Sequence, residues 1–202
     1  SVTVSLAGTL QENETAQVEI DVTDITTTSA DYDDPDTAIG NAVAAYAGDG
    51  MLAIDVNGVL TYTGGVGGTS MTDLVITLGA VDDTLVEGDE TFSTDLSNPA
   101  STTGAVVAIG TSEVTATITD NDSASLSIAS TGTFNEESGA NNVVVTLTTS
   151  DGSGGTATLA PGVTLTADVV DATTGNATSG SDYTTFGTQA VSFAPGSGDG
   201  TT

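Results

Sequence analysis

Apolar and polar residues alternate with a period of two in short segments along most of the chain. Successive side chains of a β-strand point to opposite faces of a sheet, so this alternation predicts strands with one buried face. Clusters of Gly, Asn, Asp and Ser separate the segments and indicate turns. The predicted strands are Ser1–Leu6, Ala16–Val22, Leu74–Leu78, Val114–Ile118, Leu126–Ile128, Val143–Leu147 and Val163–Val169. Many short strands separated by turns predict an antiparallel sandwich or barrel, and therefore an all-β fold.

The chain also contains an internal repeat. Its opening segment, Ser1–Glu12, aligns with Ser125–Glu136 at a constant offset of 124 residues. Two later matches follow in the same order, Ser29–Tyr32 with Gly180–Tyr183 and Leu60–Gly64 with Val191–Gly196. The boundary between the copies lies at Asp120-Asn121-Asp122. We therefore predict two modules, a complete one at residues 1–122 and a second one at residues 123–202.

The two copies differ in their content. The first contains an insertion, from Asp33 to about Gly58, in which the alanine-containing segment Thr37–Ala47 predicts a single helical turn. After the segment around Tyr62, the first copy continues with further strands that have no counterpart before Thr202. The second module is therefore expected to lack its last strands, which either follow in the same polypeptide or come from a neighbouring chain by strand addition.

Charge is the most unusual property of the composition. The 202 residues contain no Lys, Arg, His or Cys but 28 Asp and Glu, which gives a formal net charge of −28. Like charges oppose a compact state, and divalent cations are the obvious candidates to neutralise clustered carboxylates. Nucleic acid is excluded as a partner because no basic side chain is present to contact phosphate.

Catalysis and membrane insertion are not expected. Without His, Lys or Cys, the chain lacks the ordinary general bases, thiolates and Schiff-base amines, so we predict that it is not an enzyme. No apolar run approaches the ~20 residues that a membrane-spanning helix needs. Although 37 % of the residues are hydrophobic, only 14 % are charged, which favours a folded chain over a disordered one.

Three acidic segments with a specific spacing resemble a known family. They are Asp82–Glu90 followed by Thr91-Phe92, then Leu96-Ser97-Asn98, then Ala116–Asp122. Together they resemble the Calx-β domain, a calcium-binding sandwich found in sodium–calcium exchangers, an integrin subunit and giant bacterial adhesins. Gly180–Tyr183 followed by Val191–Gly196 is similar to the middle of the same pattern. The resemblance implies tandem antiparallel immunoglobulin-like β-sandwiches, the second one incomplete.

The resemblance also implies a set of Ca²⁺ ligands. In the complete module these are Glu12, Asp31, Asp82, Asp83, Glu87, Glu90, Asp120, Asn121 and Asp122. In a sandwich, alternate loops gather at one pole, so these side chains are expected to converge and to offer the six to eight oxygens that Ca²⁺ prefers. Asn121 and Thr84 stand where family members often carry acids, which lowers the charge of the site. In the second module only Glu136 and Asp182 are present.

The acidic run Asp82–Glu90 taken alone is more typical of a solvated turn, and the metal site depends on Glu12 and on Asp120–Asp122 as well. Two functions follow. In the first, the chain is an extracellular spacer of a giant surface adhesin, in which Ca²⁺ stiffens neighbouring repeats that project a distal ligand-binding domain. In the second, it is a subunit of an extracellular filament, sheath or surface layer whose identical subunits exchange strands. A third, a calcium-sensing domain of a transporter, requires flanking membrane segments.

Overall fold

The computed structural model describes residues 1–102, 106–130, 132–133, 135–136, 139–140 and 142–202. Strands dominate it. They are β1 (Val2–Val4), β2 (Thr15–Asp24), β3 (Met51–Ile54), β4 (Val59–Thr63), β5 (Leu74–Ile76), β6 (Leu85–Val86), β7 (Glu90–Ser101), β8 (Glu113–Ile118), β9 (Ser123–Ser130), β10 (Val143–Ser150), β11 (Thr158–Leu159), β12 (Leu165–Val169) and β13 (Gln189–Phe193), with one helix, α1 (Pro35–Ala44). The all-β prediction is confirmed.

The described chain divides into two compact units. The first contains Ser1–Asp82 and Asp89–Thr119, and the second contains Asp83–Gly88 and Asp120–Thr202. The chain thus leaves the first unit at Asp83, returns at Asp89 and leaves again at Asp120. The predicted modules, 1–122 and 123–202, stay predictions. They differ from these units in that they assign all of Asp82–Glu90 to the first copy.

The first unit is built on a five-stranded antiparallel sheet in the order β3-β4-β2-β7-β8. A second pair, β1 and β5, is also antiparallel, with Val4 opposite Leu74. The side chains that these elements bury against each other form one apolar core of Val4, Ile20, Ile39, Leu60, Leu74 and Ile76. Alternation along the strands places Ile20 and Leu60 on one face of the large sheet, and Val4, Leu74 and Ile76 on one face of the β1–β5 pair.

Helix α1 lies in the insertion of the first unit, where a helical turn is predicted over Thr37–Ala47. It begins earlier, at Pro35, because the Asp34 side chain accepts a hydrogen bond from Thr37 N at 2.8 Å and caps the helix N-terminus. Proline suits the first helical position because its φ is already helical and it has no N–H to satisfy. Ile39 anchors the helix in the core. Among the described residues, no helix is long and apolar enough to cross a membrane.

The second unit has a smaller core. Leu147, Leu159 and Phe193 are its buried residues, and β9 pairs antiparallel with β10, as β12 does with β13. Its third pairing joins β6 to β11 and is parallel, with Thr158 opposite Leu85. Val86 of β6 packs against the core. Residues of the predicted first module therefore complete the second unit.

All seven predicted strands are present with altered bounds, whereas β3, β4, β6, β7, β11 and β13 are not among the seven. The repeat match between Ser1–Glu12 and Ser125–Glu136 includes Thr131 and Phe134, which lie outside the described residues. The sandwich architecture and the repeat stay predictions.

Candidate metal centre

In the first unit, the loop that follows β2 is fastened to the start of β7. The carbonyl oxygen of Thr91 accepts hydrogen bonds from the backbone N–H groups of Ile25 at 3.1 Å, Thr26 at 2.9 Å and Thr27 at 3.3 Å. The Thr26 hydroxyl in turn accepts from Thr91 N at 2.7 Å. These bonds hold the loop beside Glu90, the residue that precedes Thr91.

The other end of this loop pairs with the chain that leads into the acidic run. Val81 N donates to the carbonyl oxygen of Asp31 at 2.8 Å, and Asp33 N donates to Gly79 O at 2.9 Å. The Asp33 carboxylate accepts from Gly79 N at 2.9 Å. Asp82 follows Val81 directly, so the backbone carries this predicted ligand to the neighbourhood of Asp31.

Asp31 and Glu90 are the predicted ligands that come together in the first unit. One carboxylate oxygen of Asp31 lies within 4.8 Å of one of Glu90, and both residues are partly buried. Two oxygens at this separation can bind the same cation, since Ca²⁺ has oxygen ligands at about 2.3–2.6 Å. The Asp31 carboxylate also accepts hydrogen bonds from Thr28, from its backbone N–H and from its hydroxyl at 2.9 Å, which orient it.

A buried tyrosine supports this pair. Tyr32 stacks on Phe92 with ring centroids 4.7 Å apart, and its hydroxyl donates to the Asp24 carboxylate at 2.6 Å. Burial, together with the hydrogen bond to Asp24, raises the pKa of Tyr32 to about 12, so its hydroxyl remains a donor at neutral pH. Tyr32 follows Asp31, and Phe92 lies two residues after Glu90, so the stack anchors both chain segments.

The second unit contains a similar arrangement around Asp182. The Tyr183 hydroxyl donates to the Asp171 carboxylate at 2.6 Å, and the Asp182 carboxylate accepts from Thr178 N at 2.7 Å. The hydrogen bond between Tyr183 and Asp171 raises the pKa of Tyr183 and lowers that of Asp171. Sequence reasoning missed the roles of Asp24 and Asp171. Their signal was an acid at or just after a strand end, seven residues before Asp31-Tyr32 in the first case and eleven before Asp182-Tyr183 in the second.

Asp120 has a structural role in the second unit. Its Oδ2 accepts from Glu87 N at 3.0 Å and Gly88 N at 2.7 Å, and its Oδ1 accepts from Asp122 N at 2.7 Å. Gly88 has φ +92, a conformation that other residues adopt only under strain. Burial alone raises the pKa of Asp120, but the three N–H donors outweigh it and hold that pKa below its ordinary value.

This geometry predicts a pH-dependent contribution from Asp120. Since the folded-state pKa is lowered, the carboxylate stabilises the second unit above the unfolded pKa of about 3.9, and this stabilisation is lost as the pH falls through the folded value. Asp120→Asn should cost about 1–3 kcal/mol of unfolding free energy at pH 7. Urea unfolding of both proteins in chelator should show that the difference in their unfolding free energies shrinks as the pH falls below about 3.9. A difference that does not change with pH would contradict this role.

The remaining predicted ligands are spread over the two units. Asp82, Asp83, Glu87, Asn121, Glu136, Asp182 and Glu12 are exposed, and Asp122 is partly buried. The Asp83 side chain accepts from Leu85 N at 2.8 Å and so caps the start of β6. In the part of the chain that the structure describes, Glu12, Glu136 and Asp182 belong to no group of three carboxylates with oxygens within 4.8 Å of one another.

Comparison with protein-family models, curated proteins and solved structures found no match to this chain. The assignment to the Calx-β family stays a prediction from the motifs.

Proposed function

We propose that this chain is a calcium-binding structural module pair of a repetitive extracellular surface protein, and not an enzyme. The observation that carries this proposal is the approach of the Asp31 and Glu90 carboxylates to within 4.8 Å in a chain with no basic side chain. Two carboxylates so close repel each other unless one binds a proton or both bind a cation. At neutral pH, Ca²⁺ is the cation of the extracellular medium that suits such oxygens.

A further ligand lies within reach along the chain. Asp82 follows the residue that is hydrogen-bonded to Asp31. We therefore propose Asp82 as a further ligand, with water completing the coordination. An ion held by Asp31, Asp82 and Glu90 would restrict the two points at which the chain leaves the first unit and returns to it, and so would stiffen a tandem array.

The outer face of the large sheet carries a row of acidic side chains that cations would also stabilise. Asp21 of β2 lies directly opposite Asp95 of β7, and Asp95 lies directly opposite Glu113 of β8. Like charges opposite each other on neighbouring strands destabilise a sheet. Since the sequence provides no Lys or Arg, ions from solution are the remaining source of positive charge for this row when its carboxylates are ionised. A medium rich in divalent ions, such as that outside the cell, suits the protein.

A second candidate function is a subunit of an extracellular filament or surface layer that is assembled by strand exchange. It is favoured by β6, which comes from Asp83–Gly88 and pairs with β11 of the second unit, while Val86 packs against its core. A module that is completed by a strand from outside its own repeat can accept the same strand from a neighbour.

Calorimetric titration tests the calcium proposal directly. We expect the wild-type chain to bind Ca²⁺ with a Kd of about 10⁻⁴–10⁻³ M, the range of extracellular modules, and to bind Mg²⁺ more weakly. Asp31→Asn combined with Glu90→Gln should remove at least one ion from the stoichiometry. Equal Ca²⁺ binding by wild type and this variant would refute the assigned site, and no binding by wild type would refute the function.

A further inference from the structure

A groove in the first unit lies between helix α1 and strand β5 and has a volume of about 500 Å³. This volume falls within the ~300–1,000 Å³ that is typical of ligand pockets. The groove forms where two paired chain segments part. Asp33 N donates to Gly79 O, so the chain that precedes the helix is held against the chain that follows β5. At Pro35 the chain then turns into α1, which packs beside β5.

Two carboxylates line the groove at the end where the helix begins. Asp33 and Asp34 are both exposed. Asp33 accepts a hydrogen bond from Gly79 N and Asp34 accepts one from Thr37 N, but an ionised carboxylate has about four acceptor sites. Hydrogen bonds from the Thr37 hydroxyl and from its backbone N–H hold the pKa of Asp34 below its ordinary value, so Asp34 is ionised at neutral pH. This end of the groove can therefore accept hydrogen bonds from a cation.

The rest of the groove suits an aliphatic chain. Ala38 and Ala42, one helical turn apart on the same side of α1, line it together with Val75 of β5. Val75 is 54 % exposed, so a ligand in the groove would remove apolar surface from water. Arg and Lys lay their methylene stems along apolar surface while the charged head reaches a polar partner. The groove thus combines an apolar floor with an acidic end, which matches a basic side chain.

A peptide fits this groove better than a free cation does. An ion pair at an exposed position contributes little, because water and salt screen it. A peptide adds backbone N–H and C=O groups, which the exposed side chains of Asn41 and Thr77 at the groove can bind, and its flanking side chains can cover Val75. The 202 residues contain no Lys or Arg, so these residues of a second copy cannot supply the basic side chain.

We propose that this groove binds a short extended segment of a partner protein through an Arg or Lys, whose head lies at Asp33 and Asp34 and whose stem lies on Ala38, Ala42 and Val75. The net charge of −28 attracts such a partner from a distance, and the groove fixes where it binds. The site does not rest on calcium binding.

Nuclear magnetic resonance titration in chelator, at about 0.15 M salt, tests the site with a blocked peptide, acetyl-Thr-Val-Arg-Val-Thr-amide. This peptide should bind at least about tenfold more tightly than the same peptide with Gln in place of Arg, because the Arg head makes charge-assisted hydrogen bonds. The shifted amides should centre on Ala38, Asn41 and Thr77. Failure of the Arg peptide to bind at about 10 mM would overturn the proposal. So would shifts centred on the acidic row of Asp95 and Glu113.

A pair of double variants separates the groove from the overall charge. Asp33→Asn with Asp34→Asn should weaken binding of the Arg peptide at least about tenfold. Asn keeps an oxygen that can accept from Gly79 and Thr37, so the fold should be preserved. Asp36→Asn with Asp49→Asn removes the same charge from exposed positions outside the groove and should weaken binding less than about threefold. Equal losses in the two variants would overturn the proposal.

A free cation as the ligand is a recognisable outcome. If n-butylguanidinium alone binds as tightly as the Arg peptide and shifts the same amides, the groove takes a free cation and the peptide proposal is overturned. Because every titration is done without Ca²⁺, failure of these experiments leaves the proposed calcium function unaffected.

Discussion

Calcium at 10 mM should raise the melting temperature of the wild-type chain by about 3–11 °C over its value in chelator. With a Kd of about 10⁻⁴–10⁻³ M, one bound ion stabilises the folded state by about 1.4–2.7 kcal/mol, because ligand that binds only the native state adds RT ln(1 + [L]/Kd). For a chain of this size each kcal/mol corresponds to about 2–4 °C. Calorimetric scans with and without EGTA, at constant ionic strength, measure the shift.

The double variant Asp31→Asn with Glu90→Gln should lose most of this calcium-dependent gain. It should also melt at a higher temperature than wild type in chelator, because the two carboxylates that lie within 4.8 Å of each other no longer repel. Asp49→Asn with Asp73→Asn removes two charges from exposed positions of the same unit and serves as the control. This control should keep the full gain.

Two results would reject the assigned site. Identical melting curves in Ca²⁺ and in chelator would mean that no stabilising ion binds. A gain that both double variants lose equally would mean that Ca²⁺ acts only as a diffuse counterion on an acidic chain, since screening depends on total charge and not on position.

Val86→Asp should destabilise the second unit by about 2–3 kcal/mol without affecting the core of the first. Val86 packs against the core of Leu147, Leu159 and Phe193, although its place in the sequence lies within the acidic run. A carboxylate at this position loses the apolar contact and must either be hydrated, which opens the core, or be buried unpaired.

Amide hydrogen exchange in chelator locates the effect. Protection at Leu147 and Leu159 should fall by at least tenfold, while protection at Ile20 and Ile76 should stay the same. Val66→Asp changes a side chain that is 85 % exposed in the first unit and serves as the control. It should leave the protection of all four amides unchanged. If Val86→Asp leaves Leu147 as protected as in wild type, β6 does not support the second core.

Alternation in the sequence predicts strands such as β2 and β5 because each has one buried and one solvated face, but β7, with twelve residues the longest strand described, was not among those predicted. Residues 15–24 become β2 with Ile20 in the core, and Leu74–Ile76 becomes β5 with both of its end residues buried. Helix α1 was predicted from its alanines, but its start depends on the Asp34 cap, so the sequence prediction placed it two residues late.

The candidate site was predictable in part. The motif brought Asp31 and Glu90 into one ligand set because both belong to acidic segments at strand ends, and the structure places their carboxylates together. It could not show that Asp120 accepts three backbone N–H groups, nor that Asp24 accepts from Tyr32. A carboxylate binds a metal ion or a peptide N–H equally well, and only the positions of its neighbours decide between them.

The sequence by itself determined the all-β class, the single helical segment and the unbalanced charge of −28, because side-chain periodicity and composition are local properties. Only the tertiary structure decided that β6 belongs to the second unit. A two-residue strand has no period to detect, and its partner β11 lies more than seventy residues later in the chain.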